Sequence, residues 1–247
     1  MALPAIMLDY VCRAAKELRG GAACSAGYPD LLVRRQDLVA LLGAERAERV
    51  PVRPDSAEIL AWHGVRQQFE HVFDARVTFA QLGFSLDVLD IVQARGDEII
   101  VDLNHPLPAE FRNRYDLVLD TGTCEHCFHI GQAAMNLAQL VRKGGYIVQA
   151  MPLNSFNHGF YNVNPTWFHD FYPANGFTIH LLAGISNIVL APKFLDLPPF
   201  ASFAAAPERT VAVLVAERVS ETAPVVPVQR KYATHPTLRK SGEPRGR

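Results

Sequence analysis

Two segments of the sequence gather acidic, imidazole and amide side chains that could carry chemistry. Residues 120–129 read DTGTCEHCFH, and residues 154–162 read NSFNHGFYN. An imidazole titrates near neutral pH, so His158 is the first candidate for a general base, followed by His126 and Glu125. The alternative is that residues 154–162 form a loop packed by its own aromatic rings, with His158 bonded to the backbone.

The amide and aromatic side chains of the second segment favour a hydroxyl-rich ligand such as a sugar. Asn154 and Asn157 each offer hydrogen-bond donors and acceptors, and Tyr161 adds an aromatic face with a hydroxyl group. We therefore expect these three residues to bind a small-molecule substrate, with a carbohydrate as one candidate.

A metal site is a further interpretation of the first segment. Cys124 and Cys127 form a C-x-x-C pair, and His126 or His129 could add an imidazole ligand for zinc. A closed structural zinc site normally has a second ligand pair, and the sequence contains none. The prediction is therefore no metal, and a redox role for the cysteine pair is weaker still.

Strands alternate with helices along most of the chain, which predicts an α/β domain with a mostly parallel sheet. Apolar runs predict strands at 22–26, 84–91, 98–103, 115–120, 146–151, 177–182 and 210–216. Helical spacing of apolar residues predicts helices at 3–19, 34–49, 57–73, 76–82, 129–142 and 165–174.

Ligands of open α/β sheets bind at the carboxyl ends of the strands. There, the carboxylate of Asp90 could accept hydrogen bonds from the vicinal hydroxyls of a ribose, or it could cap a helix or form an ion pair. Asp102, after the next strand, could contact an adenine amino group, or it could form an Asx turn. The same rule selects the segments 27–30, 120–127 and 152–158.

Several of these pieces together resemble the class I S-adenosylmethionine-dependent methyltransferases. The run YDLVLD at 115–120, the pair Glu125-His126, and the run VRKGGYIV at 141–148 match the family's fourth strand, following helix and fifth strand. The segment NPTWF at 164–168, followed by NGF at 175–177, is similar to the segment before the family's sixth strand. The resemblance covers about residues 84–182.

The resemblance implies a Rossmann-like, doubly wound sheet of seven strands with helices on both faces and an antiparallel last strand. It implies S-adenosylmethionine as cofactor, with Asp90 on the ribose and Asp102 near the adenine. The candidate cofactor-binding residues are Gly27, Asp30, Asp90, Asp102, Leu103, Asp120, Thr121 and Gly122.

Methyl transfer to a small polar acceptor, such as a sugar hydroxyl, is the function that the resemblance implies. The alternatives are a non-catalytic module of the same fold that binds a partner or glycan, and a nucleotide-sugar or dinucleotide enzyme. The sequence lacks G-x-G-x-x-G, which disfavours the last of these.

The segment after the first strand departs from the family pattern. The family places a glycine-rich loop there, whereas residues 26–30 read AGYPD, with Gly27 as their single glycine. Asp30 could replace the acid that the family has at this strand. Asp90 lies 63 residues after Gly27, so residues 34–72 are predicted to be a helical insertion or cap.

Composition excludes several classes of protein. Hydrophobic residues form 49% of the 247 residues and charged residues 20%, which excludes a largely disordered chain. The formal net charge of -1 does not indicate a nucleic-acid binder. No signal peptide is recognised, and no apolar run reaches the roughly 20 residues of a membrane span, so we expect a cytoplasmic protein. Residues 1–219 are predicted to form the α/β domain, and 220–247 a flexible basic tail.

Overall fold

The computed structural model describes residues 1–199 and 201–234, which contain ten strands and eight α-helices. The strands are β1 Ala2–Pro4, β2 Gly21–Ala26, β3 Asp30–Leu32, β4 Phe84–Asp90, β5 Ile99–Ile100, β6 Tyr115–Asp120, β7 Val141–Pro152, β8 Phe177–Ser186, β9 Lys193–Asp196 and β10 Val211–Arg218. The helices are α1 Ala5–Leu18, α2 Arg35–Leu42, α3 Ala44–Glu48, α4 Ser56–Trp62, α5 Ala75–Gln81, α6 Ile130–Leu140, α7 Pro165–Ala174 and α8 Arg230–Ala233.

Eight of the strands that the structure describes form one mixed sheet in the order β5-β4-β2-β6-β7-β10-β8-β9. Pairing is parallel from β5 through β7, and β10 runs antiparallel to both of its neighbours. The predicted α/β class, the mostly parallel sheet and the antiparallel last strand are confirmed. The prediction of seven strands is wrong by one, because β9 pairs with β8 at the edge.

Alternating side chains of the central strands build two separate apolar layers. Leu117 and Leu119 of β6 pack into the layer formed with α1, α2 and α5, whereas Val118 packs against α6 and α7. Successive strand residues point to opposite faces, so one strand supplies both layers. Each buried Leu or Val side chain contributes about 1.5–3 kcal/mol of transfer free energy, which makes these layers the main source of stability. The prediction of helices on both faces is confirmed.

The segment 34–72 contains three short helices where the sequence predicted two longer ones. The predicted helix 34–49 is divided into α2 and α3 at Gly43. The predicted helix 57–73 ends at Trp62. After Trp62 the chain folds back, so that Val72 forms hydrogen bonds with residues at the start of α4. Val72 accepts a hydrogen bond from the backbone of Arg53 and exchanges hydrogen bonds with the Ser56 hydroxyl.

The start of the predicted tail contacts the domain. The side-chain amide of Asn175 donates to the Val225 carbonyl at 3.0 Å and accepts from the Val225 N–H at 2.8 Å. The backbone N–H of Arg230, the first residue of α8, lies 3.2 Å from a carboxylate oxygen of Asp170. The remainder of the predicted flexible tail, 235–247, lies outside the described residues.

Cys12, Cys24, Cys124 and Cys127 are buried free thiols. Among the residues described, no helix combines the length and apolar character needed to cross a bilayer.

Arg218, at the end of β10, holds the junction where α6 turns into β7. Its guanidinium is buried and donates to the Asn113 side-chain oxygen at 2.6 Å, the Val141 carbonyl at 2.5 Å and the Ala138 carbonyl at 3.2 Å. Burial lowers the pKa of Arg218, yet its hydrogen bonds satisfy carbonyls at the end of α6 that the helix itself leaves without donors.

We predict that Arg218→Met lowers the free energy of unfolding by about 2–4 kcal/mol, because buried carbonyls lose charge-assisted hydrogen bonds. Urea unfolding monitored by circular dichroism measures the change. The exposed Arg112 is the matched control, and Arg112→Met should stay within about 0.5 kcal/mol of the unsubstituted protein. Equal effects of the two substitutions would contradict this role for Arg218.

Candidate functional site

The strand order reverses between β2 and β6, and this reversal locates the candidate site. From β2 the chain moves outward through β4 to β5, and it then returns to β6 on the other side of β2. In open α/β sheets the ligand crevice lies at the carboxyl ends of the strands beside such a reversal, which places the candidate crevice at the ends of β2 and β6. The segment after β6 (residues 121–129, the β6 loop) and the segment after β7 (residues 153–164, the β7 loop) border this edge.

Gly27 and Asp90 meet at the reversal point. Gly27 has a φ of +78°, which favours glycine, and its N–H donates to the Leu89 carbonyl at 2.7 Å. A Cβ at Gly27 would lie 3.2 Å from the Thr123 hydroxyl and 3.8 Å from Asp90 Oδ2. Asp90 Oδ1 accepts hydrogen bonds from the next two backbone N–H groups, at 2.7 and 3.3 Å. Its Oδ2 therefore faces Gly27 across a narrow space.

Met1 lies in the same crevice. Its Sδ is 3.1 Å from the backbone N of Thr121 and 3.6 Å from the Thr123 hydroxyl. The Thr121 hydroxyl donates to the Ala2 carbonyl at 2.8 Å, which fastens the first residues over the β6 loop. Met1 Cβ would be 3.5 Å from a Cβ at Gly27, so the Met1 side chain occupies part of the crevice.

Asp30 lies inside the protein, and its carboxylate contacts the Arg95 guanidinium and the His63 imidazole. Arg95 donates to both carboxylate oxygens, at 3.1 and 3.0 Å, and His63 Nε2 lies 2.9 Å from Oδ2. Burial alone would raise the pKa of Asp30, but these hydrogen bonds, with the charges of Arg95 and the terminal amine, lower it. His63 and Arg95 were not predicted from sequence, because His63 is a polar position within the predicted helix 57–73 and Arg95 lies outside every predicted element and motif.

Asp102 forms an Asx turn after β5, as the alternative interpretation held. Its Oδ1 accepts from the Asn104 backbone at 2.9 Å and from the Asn104 side chain at 2.7 Å, and these bonds lower the pKa of Asp102. The Leu103 side chain is buried in the apolar layer, and its carbonyl accepts from Asn136 of α6. This anchoring fixes the turn at the edge of the site.

Asp120 ends β6 as a fully buried carboxylate. It accepts from the backbone of Thr123 at 2.8 Å and of Cys124 at 3.4 Å, and from the Gln149 side chain at 2.8 Å. Gln149 in turn accepts from the Tyr172 hydroxyl at 2.7 Å. Burial and the neighbouring Glu125 carboxylate raise the pKa of Asp120. Gln149 was missed from sequence, although an amide within the apolar run 146–151 was its signal.

The structure brings together the three residues predicted as catalytic. Glu125 is buried, and its Oε1 lies 3.5 Å from His158 Nε2 and 4.0 Å from His126 Nε2. The two imidazole rings are 5.1 Å apart and half exposed. The Glu125 carboxylate raises the pKa of His158, against a smaller opposing effect of burial. Gly122 borders this group, since a Cβ there would lie 3.3 Å from Glu125 Oε1.

Close backbone contact holds the β7 loop against the β6 loop. A Cβ at Gly159 would lie 2.9 Å from the Glu125 carbonyl oxygen, so only glycine permits this approach. Phe160 donates its N–H to that same carbonyl at 2.9 Å. The Tyr161 hydroxyl donates to the Phe128 carbonyl at 2.7 Å. These contacts place His158 beside Glu125.

Asn154 and Asn157, predicted to bind substrate, have different surroundings. The Asn154 side chain donates to the Ala206 and Pro207 carbonyls and accepts from the Thr210 N–H, so it fastens the segment that leads to β10. Asn157 is exposed at the tip of the β7 loop with a φ of +58°. Of these two asparagines, Asn157 is therefore the one exposed to solvent next to His158.

The C-x-x-C pair does not present thiolates to a ligand. Cys124 and Cys127 are buried. Burial raises the pKa of Cys124 far above its usual value and that of Cys127 to about 11. Cys127 Sγ is 3.7 Å from the Thr123 carbonyl, which suits a neutral thiol.

No protein-family model matches the sequence, and no curated protein matches it. A Burkholderia thailandensis 1,6-didemethyltoxoflavin-N1-methyltransferase, solved with S-adenosylhomocysteine, is similar at 12% identity and a TM-score of 0.44, covering 87% of this chain and 88% of that one. The citrinin polyketide synthase CMeT domain is similar at 9% identity and a TM-score of 0.42, covering 82% of this chain and 47% of that one. The CurJ carbon methyltransferase is similar at 12% identity and a TM-score of 0.42, covering 81% of this chain and 49% of that one. All three TM-scores are below 0.5, so these similarities assign no activity to this chain.

We predict that Asp30→Asn lowers the free energy of unfolding by about 3 kcal/mol at neutral pH, because Arg95 loses its buried partner. The pKa of Asp30 is lowered in the folded protein, so its contribution is fully present above the unfolded pKa of about 3.9 and is lost as pH falls below it. The difference from the unsubstituted protein should therefore shrink with acidification. Urea unfolding between about pH 7 and about pH 2 measures it, because the loss begins only below the unfolded pKa.

The exposed Asp196 of β9 is the control for this substitution. Asp196→Asn should change stability by less than about 0.5 kcal/mol at each pH. A constant gap between Asp30→Asn and the unsubstituted protein across the pH range would contradict the proposed ion pairing.

Proposed function

We propose that this protein transfers a methyl group from S-adenosylmethionine to a small polar acceptor, with a sugar hydroxyl as the favoured acceptor. The observation that carries the proposal is the convergence of Gly27, Asp90 and the β6 loop at the point where the strand order reverses. The motif pieces over residues 84–182 support the same function.

The residues at this point fit the ribose end of the cofactor. Asp90 Oδ2 faces the space beside Gly27, and a carboxylate oxygen there suits the vicinal hydroxyls of a ribose. Asp102 and Leu103, after the adjacent β5, are proposed to border the adenine. Thr121 and Gly122 are proposed to line the opposite side of the crevice. When bound, the cofactor supplies an electrophilic methyl group on a sulfonium.

Two details of the crevice qualify how this chain would bind the cofactor. The carboxylate of Asp30 is engaged by Arg95 and His63, so we propose that it positions these two groups beside the crevice and does not itself contact the cofactor. The Met1 side chain must move away from Thr121, because it fills space next to Gly27.

The acceptor is proposed to bind beside the β7 loop. Methyl transfer depends mainly on alignment of the acceptor oxygen with the methyl group, and rigid contacts between the two loops supply a fixed surface. His126 and His158 face this surface with Glu125 behind them, and Asn157 and Tyr161 supply amide and aromatic groups. Such groups suit a hydroxyl-rich molecule.

A non-catalytic module of the same fold, binding a partner or glycan, is the second candidate function. The position of Met1 favours it, since the side chain occupies part of the crevice that a cofactor would need. This candidate requires no cofactor, so cofactor binding separates the two.

We predict that S-adenosylmethionine and S-adenosylhomocysteine bind the full chain with one site in isothermal titration calorimetry. Asp90→Ala should weaken binding at least about tenfold, because each lost charge-assisted hydrogen bond is worth roughly 1.5–3 kcal/mol. Asp196→Ala, which removes an exposed carboxylate elsewhere, should leave the affinity unchanged.

The absence of binding heat at millimolar cofactor would reject methyl transfer and leave the non-catalytic module. Equal binding by the Asp90→Ala variant would reject only the assignment of Asp90 to the ribose.

A further inference from the structure

Glu125 has a buried carboxylate oxygen without a hydrogen-bond partner. The side chain is 2% exposed, and Oε2 has no donor among the described residues. A buried carboxylate is strongly disfavoured unless it is paired or coordinates a metal. Within the described part of the chain, the basic groups that lie within 4.0 Å of the Glu125 carboxylate are the imidazoles of His126 and His158.

The two imidazoles meet this carboxylate from different loops. One ligand atom each from Glu125, His126 and His158 lie together within 4.8 Å of one another. In a tetrahedral site with bonds of about 2.1 Å, neighbouring ligand atoms are about 3.4 Å apart. The Glu125–His158 distance of 3.5 Å already has this value. Rotation of the two half-exposed imidazoles would bring the remaining atoms together.

The surrounding contacts hold this donor set in place. Gly159 and Phe160 pack on the backbone of Glu125, which fixes His158 next to the carboxylate. Behind Glu125, the buried Asp120 carboxylate takes its hydrogen bonds from neutral donors, so the region carries two buried carboxylates without a Lys or Arg partner among the described residues. A cation at Glu125 would offset this negative charge.

We propose that Glu125, His126 and His158 bind one divalent metal ion of the class that includes Zn²⁺, which is the ion used in the test below. Two imidazoles and one carboxylate are the donor set of catalytic zinc and non-haem iron sites that keep positions open to substrate. The sequence predicts no metal because the cysteine pair lacks a second ligand pair, whereas these donors lie on two loops, with His126 and His158 separated by 32 positions in the sequence.

The exposed side of the imidazoles leaves open coordination positions on the acceptor side. A metal there binds the acceptor hydroxyl oxygen and lowers the pKa of that hydroxyl. The hydroxyl proton then passes to water, the oxygen forms the new bond to the methyl carbon, and the bond from that carbon to the cofactor sulfur breaks. This role rests on the proposed methyl transfer, whereas binding of the ion does not.

Titration of the untagged full chain with Zn²⁺ by calorimetry, without cofactor, tests the proposal. We expect one ion per chain, and a loss of affinity of at least about 10–100-fold in Glu125→Gln, His126→Ala and His158→Ala, since even partners of metal ligands contribute this much. Bound Co²⁺ should show the visible bands of a protein site in the unsubstituted chain only.

His71 provides the matched control. It is 46% exposed and lies 3.4 Å from Glu70, so it reproduces a surface imidazole beside a carboxylate without a second imidazole from another loop. His71→Ala and Cys127→Ser should leave the Zn²⁺ affinity within about threefold, since neither removes a proposed ligand. Circular dichroism checks that each variant folds. If the buried substitution Glu125→Gln prevents folding, the His158→Ala variant still tests the site, because His158 is half exposed and its loss should not disturb the core.

No stoichiometric binding, or equal affinity in the His158→Ala variant, would overturn the metal site. Loss of turnover in His158→Ala without any metal dependence would instead leave His158 as a base. Cofactor binding measured in the presence of a chelator reports on methyl transfer separately, so the two proposals fail independently.

Discussion

Asp30, Asp120 and Glu125 are buried carboxylates near the carboxyl ends of β2 and β6, and the organisation of that edge depends on how each is compensated. Asp30 is held by the guanidinium of Arg95 and by His63, which ties the segment before β5 and the end of α4 to β3. Asp120 is held by neutral donors, the backbone of the β6 loop and Gln149. Glu125 is left with two imidazoles that face solvent. The three carboxylates therefore differ in their partners: Asp30 has a guanidinium, Asp120 has neutral hydrogen-bond donors, and Glu125 has two imidazoles. Because a carboxylate responds to nearby charges and donors, these partners give the three groups different chemistry.

The hydrogen-bond chain from Asp120 through Gln149 to Tyr172 adds buried polar contacts between elements that also share the apolar layer of α6 and α7. It joins the end of β6, the middle of β7 and the helix α7 through buried polar groups. Such networks specify a unique arrangement because a slipped register would leave several of their members without partners. The conformation of the β6 loop is thus fixed by hydrogen bonds to residues inside the sheet.

The sequence was sufficient to predict the order and type of most elements, because strands and helices of this chain carry clear apolar periodicity. It also placed Glu125, His126 and His158 on the same edge, since the carboxyl ends of parallel strands converge there. It could not pair Asp30 with Arg95, because the two are 65 residues apart and joined only by tertiary packing. The sequence also did not predict β9, because four residues are too few to show an apolar period that would distinguish a strand from a loop. The structural role of Asn154 could not be predicted either. An asparagine that binds the backbone cannot be distinguished in the sequence from one that binds a ligand.

The short strands at the two ends of the sheet have a consequence for association between molecules. β5 has two residues, and β9 has four, with Lys193 and Asp196 at its ends. An unpaired strand edge is a template on which another chain can add, and short or charged edges limit that addition. The sheet thus presents little backbone for edge-to-edge growth, so its long, apolar central strands are shielded from intermolecular pairing.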